Sequence, residues 1–488
     1  MRWVWLELCV LAGCAGSGDG KDSGETADTG ATDTDTDTGG DTDTRPGRDL
    51  SLGAAYATIV GSESSATGTT VSMTPGAAVV SAPFGGTACS FALPLAAGAH
   101  ALDAGACLVQ EADLDYPGWA LDATGDANGD GVSDLLLGAV GSDELGPDAG
   151  KAYLVYGPLP AAAGSLATAP VSWLGEARLD YAGSAVAFSD VDGDGDSDVL
   201  VGAQANAAGG VGGGRVYLFR APVEGGAYGL GEAAVTITGL GPAPEAPPHG
   251  APSVGDGAGS VLAGAGDFDG DGMEDVLIGA NGADDLAFDG GAAALFLGPI
   301  ADGDHALREA DRLWVGGTEG LYVGDSVARA GDVDGDGYGD VILGGDSQGP
   351  GTVWLVHGPG TVGTLDIESA ETSFVGEVAG NLAGAYTAPA GDVDGDGWAD
   401  LLIGAYGVDL SDYNEGAAYL VRGPFAAGTI LLADSVTRWV GPGDGAVAGS
   451  AVAGGADVDG DGLPDLLVGA RYSSTGGDFA GEAYLIVP

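Results

Sequence analysis

A nonapeptide of the form Asp-x-Asp/Asn-x-Asp-Gly-x-x-Asp occurs six times, beginning at Asp126, Asp190, Asp267, Asp332, Asp392 and Asp457. Each copy runs into an apolar stretch that ends in Gly-Ala or Gly-Gly, such as Leu401 to Ala405. The recurrence, about every 65 residues, matches one blade of a propeller, and a unit of that size buries its apolar faces only by stacking on its neighbours. The one long gap, between Asp190 and Asp267, is explained by a Pro-rich insertion, Pro242 to Pro252.

The flanks repeat with the loop. A small-residue strand precedes it, as in Gly183-Ser-Ala-Val, Gly259-Ser-Val-Leu, Gly324-Asp-Ser-Val and Gly449-Ser-Ala-Val. A buried strand follows, such as Val199 to Ala203, then a third such as Arg215 to Phe219. A fourth ends each unit, typified by Leu313-Trp-Val-Gly316 and Arg438-Trp-Val-Gly441. Four strands make a blade. The abundance of glycine (95 residues) and the Val, Leu, Ile, Tyr and Trp of the strands favour a turn-rich all-β chain.

Laying this template on the N-terminal body gives a seventh unit, with strands at Ala66 to Ser72, Ala77 to Ala82, Ala88 to Leu93 and Ala106 to Gln110. Met73-Thr-Pro-Gly76 stands where its acidic turn belongs. The last unit has three strands, ending at Ala483 to Val487, and Tyr56 to Val60 is the expected fourth, which closes the ring and leaves no open edge. The expected fold is an all-β, seven-bladed β-propeller of four-stranded blades with calcium loops in six, the N-terminal strand completing the last blade.

Calcium suits these loops because it is a hard cation that takes six to eight oxygens, and glycines at positions 4 and 6 let carboxylates at 1, 3 and 5 converge. The expected ligands are Asp126, Asn128, Asp130 and Asp134; Asp190, Asp192, Asp194 and Asp198; Asp267, Asp269, Asp271 and Asp275. They continue with Asp332, Asp334, Asp336 and Asp340; Asp392, Asp394, Asp396 and Asp400; and Asp457, Asp459, Asp461 and Asp465. Up to six ions are expected. Asn128 supplies an amide oxygen and weakens its loop. Asp196 and Glu274, inside loops at non-ligand positions, read as solvated neighbours. A strand, not a helix, follows each loop, which separates it from an EF-hand.

The formal charge of −58 excludes a nucleic-acid partner, which needs clustered Lys and Arg. It also argues against adhesion to bare anionic lipid. His100, His249, His305 and His357 fall in different units and offer no metal spacing or catalytic cluster.

Residues 1–13 carry Arg2, a short apolar run and small residues, the outline of an export signal too short to span a bilayer. Leu11-Ala12-Gly13-Cys14 resembles the lipobox of bacterial lipoproteins, which implies acylation of Cys14; Glu7 within the apolar run departs from that pattern. From Ala15 to Arg48 the chain is Gly, Ser, Thr and Asp, reading as a disordered stalk that reaches roughly 30 to 35 Å as a random coil. Cys89 and Cys107, on neighbouring expected strands, either form a disulfide, as export permits, or are two buried thiols. The chain therefore divides into a signal at 1–13, lipidated Cys14 and stalk at 14–48, and the propeller at 54–488. Within the propeller, the first blade is degenerate, about 54–112, and the six loop repeats span about 113–488.

The Gly-Ser strand at Ala182-Gly183-Ser184 and the Gly404-Ala405 after a loop resemble the FG-GAP repeats of the integrin alpha-subunit propeller, over about residues 54–488. The resemblance implies seven blades in a toroid, calcium loops on one face between strands one and two, and partners docking on the other. The FG aromatic is often replaced here, as by Val323 or Leu382. Loops of the opposite face include Asp284 to Asp289, Tyr406 to Asn414 and Tyr472 to Phe479, so Tyr406, Tyr413, Tyr472 and Phe479 are candidate ligand contacts. The resulting expectation is a monomeric, cell-envelope-anchored, non-catalytic module that binds a protein or glycan, tethered by its lipid at the outer membrane or cell surface. A hydrolase or lyase built on the propeller, and a purely structural envelope protein, are the alternatives.

Overall fold

In each repeat the alternation of small and branched residues around the acidic loop resolves into an antiparallel sheet. Residues 49–158, 164–208, 210–241, 255–345, 349–410, 413–434 and 437–488 are described by a computed structural model. The leader with Cys14, the stretch up to Arg48 and the insertion Pro242 to Pro252 lie outside the described residues. In the fifth blade, Ser326–Gly331, Asp340–Gly345, Thr352–Val356 and Thr372–Val375 pair in chain order. Every residue of Asp340–Gly345 is buried, because this second strand is covered by a neighbouring blade on each face. Seven such sheets occur among the described residues, and the described residues contain no α-helix. The chain is an all-β, seven-bladed propeller.

The glycines of the repeat mark where blades touch. A Cβ on Gly344, in the second strand of the fifth blade, would lie 1.9 Å from the carbonyl oxygen of Gly384 in the first strand of the sixth. Gly384 itself adopts φ 97°, which only glycine reaches without strain. The FG glycine of one blade thus abuts the Gly-Ala glycine of the blade before it. Between blades the space is filled by apolar clusters, such as Leu154, Trp173, Val201 and Tyr217 between the second and third.

Each sheet has five strands, not the expected four. The fifth comes from the segment joining the third and fourth strands of the following blade, and it pairs parallel with the outer strand. Gly303–Ala306 lies on Val235–Thr238, and Gly428–Leu431 on Thr372–Val375. One 3₁₀ turn follows each lent strand and buries its first residue: Leu102, Leu166, Leu230, Leu307, Ile367 and Leu432. The loan covers an edge that would otherwise expose unpaired backbone groups. Short, mostly exposed segments like these carry no strand periodicity, which is why the four-strand template passed over them.

The N-terminus closes the ring twice. Ala57–Val60 pairs antiparallel with Glu482–Ile486, the expected closure of the last blade. Asp49–Ser51 pairs parallel with Thr437–Val440 and supplies the fifth strand of the sixth blade, with Leu52 buried behind it. In the first blade Cys89 and Cys107 face each other across the third and fourth strands and are joined by a disulfide, S–S 2.03 Å. Its loopless turn is held by Thr74, whose Oγ1 accepts from the N–H of Ala77 at 3.0 Å.

Candidate metal loops and the opposite face

The six acidic loops share one scaffold. Each joins the first strand of its blade to the second, so all lie on one face of the ring. In the fifth blade the position-1 carboxylate, Asp332, accepts from the N–H groups of Gly335 (2.7 Å), Asp336 (3.1 Å) and Gly337 (3.0 Å). Asp336 accepts from Tyr338 at 3.0 Å. The same pattern recurs at Asp126, Asp190, Asp267, Asp392 and Asp457. These bonds wind the backbone around position 1 and turn the carboxylates of positions 3 and 5 inward.

Side-chain oxygens of Asp190, Asp192 and Asp194 lie within 4.8 Å of one another, as do those of Asp267, Asp269 and Asp271, of Asp332, Asp334 and Asp336, and of Asp392, Asp394 and Asp400. Two oxygens that share a calcium ion at about 2.4 Å stand at most about 4.8 Å apart, so the donor sets fit such an ion.

Position 9 is built differently. Asp134, Asp198, Asp275, Asp340, Asp400 and Asp465 are each at most 1% exposed. Asp275 accepts from the N–H of Phe268 at 2.8 Å and of Gly298 at 2.8 Å, clamping the loop to the turn after the third strand. Burial pushes the Asp275 carboxyl up to about 7, and those of Asp198 and Asp465 up to about 6. Among the described residues, Asp465 has no ion-pair partner, whereas the charge of the buried Arg312 acts on Asp275. A buried carboxylate without a counter-charge is costly, and a divalent cation in the loop relieves it.

Neighbouring loops also touch, a feature the repeat pattern did not reveal. The position-8 N–H of one loop donates to the position-1 carbonyl of the preceding loop: Ser197 to Asp126 (2.8 Å), Glu274 to Asp190 (2.9 Å) and Gly339 to Asp267 (2.7 Å). Pro464, at position 8 of the last loop, has no N–H to give. The position-7 side chain covers the position-4 glycine of the preceding loop, as Met273 does over Gly193 and Tyr338 over Gly270. This corrects the reading of Glu274 as a solvated neighbour, since it accepts the N–H of Asp190 at 3.1 Å; Asp196 stays solvent-facing beside Gly129.

Three loops meet a basic side chain from the residue just after the third strand. Arg220 approaches Asp192 and Asp198, Arg422 approaches Asp394, and His357 lies 3.4 Å from both Asp334 and Asp340. Asp340 holds the His357 imidazole above its ordinary range. His305 pairs with Glu309 at 3.4 Å, and His100 contacts the Ala96 carbonyl, so neither joins a catalytic group. His249 lies outside the described residues. At the loop-face mouth of the central channel a cavity of about 560 Å³ is lined by Met73, Pro389 and several glycines together with Arg329, Asp267, Asp332 and Tyr338.

On the opposite face stand the loops joining strands two to three and strand four to the next blade. Tyr413 is 71% and Phe479 39% exposed, whereas Tyr406 and Tyr472 are half-buried. Tyr406 packs edge-on against Tyr386 and Tyr472 against Phe479. Leu114, Leu145, Leu286 and Val378 are also exposed on these loops.

The FG-GAP repeat family matches residues 182–219 and 448–486, and the FG-GAP-like repeat family matches 332–403. Integrin alpha pat-2 of Caenorhabditis briggsae is 30% identical over 229 residues, 43% of this chain and 17% of that one. Integrin alpha-5 of Xenopus laevis is 32% identical over 154 residues, 30% of this chain and 14% of that one. Integrin alpha-IIb of Homo sapiens is 33% identical over 178 residues, 34% and 16%. The chain spans less than a fifth of the length of these curated relatives. Repeats, glycine contacts and ring agree: the chain is an integrin alpha-like FG-GAP β-propeller.

Proposed function

We propose that this protein is a non-catalytic binding or adhesion module, anchored in the cell envelope through a lipid on Cys14, whose propeller is stiffened by calcium and whose loops opposite the metal face take a protein or glycan partner. The observation that carries this reading is that six exposed apolar side chains, Leu114, Leu145, Leu286, Val378, Tyr413 and Phe479, stand on loops of that one face. Apolar groups set on one face of an otherwise acidic surface offer contacts that a partner can bury. Likeness to integrin alpha chains supports the same assignment.

Calcium supplies rigidity to the loops when bound. The carboxylates at positions 1, 3, 5 and 9 of each loop, with Asn128 in the first, would hold it. Nothing in the candidate site calls for chemistry. The described histidines make local contacts, and the channel mouth places Arg329 beside Asp267, Asp332 and Tyr338 among many glycines, with the two carboxylates already assigned to metal loops. An enzyme on this scaffold is therefore the weaker alternative, and a purely structural role leaves the exposed aromatics unused. The lipid anchor, a monomeric state and a place at the outer membrane or cell surface complete the proposal.

The test is a screen of the full chain against glycan and surface-protein arrays in the presence of calcium, repeated with Tyr413→Ser/Phe479→Ser. Binding that falls at least tenfold in the double variant supports the assignment. Binding unaffected by it, or turnover of a polysaccharide abolished by one carboxylate change outside the loops, overturns it. Labelling with a radioactive fatty acid, lost in Cys14→Ala, tests the anchor.

A further inference from the structure

The six loops are alike in sequence and unlike in electrostatics. The residue just after the third strand is Tyr156, Arg220, Leu297, His357, Arg422 and Val487 in the second to seventh blades, and in the third, fifth and sixth it reaches position 3 or 9. In five loops one oxygen of the position-9 carboxylate accepts the position-2 N–H, as in Asp134 from Ala127 (2.9 Å) and Asp400 from Val393 (3.0 Å). In the third blade the corresponding oxygen, Oδ2 of Asp198, accepts from Nη1 of Arg220 at 3.2 Å. The same Nη1 lies 3.6 Å from Oδ2 of Asp192, so it bridges positions 3 and 9. Nη2 is anchored on the carbonyl of Ile300 in the next blade, with Asp302 at 3.8 Å. The guanidinium is thus fixed between two carboxylates that a metal ion would use. Arg422 holds position 3 of the sixth blade, Asp394, at 3.2 Å. Val487 brings no charge to the seventh; Leu297 brings none to the fourth, but there the charge of the buried Arg312, stacked over Phe268 at 4.3 Å, acts on Asp269 and Asp275.

We infer that Arg220 is the resident cation of the 190–198 loop, which therefore takes a divalent ion weakly. Arg422 weakens the 392–400 loop to a lesser degree, and the strong site is 457–465. The inference rests on the reading of these loops as calcium sites. A divalent ion entering the third-blade loop must displace Arg220 from two carboxylates and remain within a few ångströms of its charge. Even screened by solvent on its open side, that repulsion amounts to about tenfold or more in affinity.

Calcium is titrated into the chelator-stripped full chain against a chromophoric chelator. Arg220→Met is expected to convert one weak site into one about tenfold tighter, while Arg220→Lys, which keeps the charge, leaves it weak. In chelator, Arg220→Met lowers the melting temperature, because Asp192 and Asp198 lose their counter-charge; in saturating calcium it does not. Should Arg220→Met fail to fold, Arg422→Met carries the test. Trp398 occupies position 7 of that loop and lays its indole over Gly335 of the preceding loop, so terbium in either the 332–340 or the 392–400 loop is sensitised through the indole. Trp398→Phe assigns the signal to these two loops, Asp332→Asn removes the share of the 332–340 loop, and in that background Arg422→Met is expected to reach half-saturation at a several-fold lower terbium concentration. Unchanged titrations of the Arg variants in a chain that does bind calcium overturn this inference and leave the calcium reading standing. No uptake of calcium or terbium by the unaltered chain overturns both.

Discussion

Single atoms decide much of this fold, and glycine shows it best. Adding one methyl at Gly344 drives it to 1.9 Å from a backbone carbonyl in the next blade, where neither side can yield. Gly344→Ala is expected to cost about 3 kcal/mol in denaturant unfolding, against less than about 0.5 for Gly443→Ala, whose Cβ meets open space. A second residue-scale prediction concerns Asp256, 5% exposed on the face away from the metal loops. Burial, with Asp285 and Asp284 nearby, pushes its carboxyl up to about 6 from 3.8, against the opposing pull of the Gly241 N–H and Arg308. The charged form is therefore penalised in the fold. Below about pH 4 the group is protonated in both states and stability is full; stability falls as pH rises through about 6. Asp256→Asn should stabilise the protein by about 2 kcal/mol at pH 7 and leave it unchanged near pH 3.5, as read from urea midpoints at the two pH values. The importance of Gly344 was visible in the repeat as a Gly-Gly pair. That of Asp256 was not, because burial depends on neighbours that the chain brings from Asp284, Asp285 and Arg308.

At the scale of elements, the blade is a unit that is finished by its neighbour. Each outer edge is covered by a strand from the next repeat, and the turn behind that strand inserts one buried Leu or Ile. The N-terminal segment plays this part for the sixth blade before entering the seventh. Leu52→Ala, lying ahead of every recognisable repeat, should therefore destabilise the ring by about 3 kcal/mol in denaturant unfolding, as a core Leu truncation does. A loss under about 0.5 kcal/mol would mean that the lent strand is ornamental. The loops are likewise coupled elements. Position 8 of one grips position 1 of another, so the second, third, fourth and fifth blades form a chain of contacts.

For the whole molecule the question is how a chain with a formal charge of −58 keeps its ring closed. Carboxylates gathered on one face repel one another, and several are buried besides. Sites with dissociation constants of about 0.1 to 1 mM would each add roughly 0.4 to 1.4 kcal/mol at about 1 mM calcium. A few such sites amount to a sizeable part of a typical stability of about 5–15 kcal/mol. Calcium is therefore expected to raise the melting temperature in a graded way over the millimolar range, and chelation to lower it. An unchanged melt after thorough chelation would count against metal in any loop.

The sequence by itself determined the number of blades, the place of each acidic loop between two strands, and the closure of the last blade by Ala57–Val60. All three follow from a period and from local chemistry: carboxylates at fixed offsets, glycines where the backbone must turn, and alternation in the strands. Only the tertiary structure decided the fifth strand, the contacts between successive loops and the different surroundings of six nearly identical loops. Those depend on which residues from distant parts of the chain meet in space. Arg220 and Asp198 are 22 positions apart, and Ile300, which holds the same guanidinium, is 80 positions from Arg220. A repeat fixes what each unit can be, and the residues at its borders fix what each copy does.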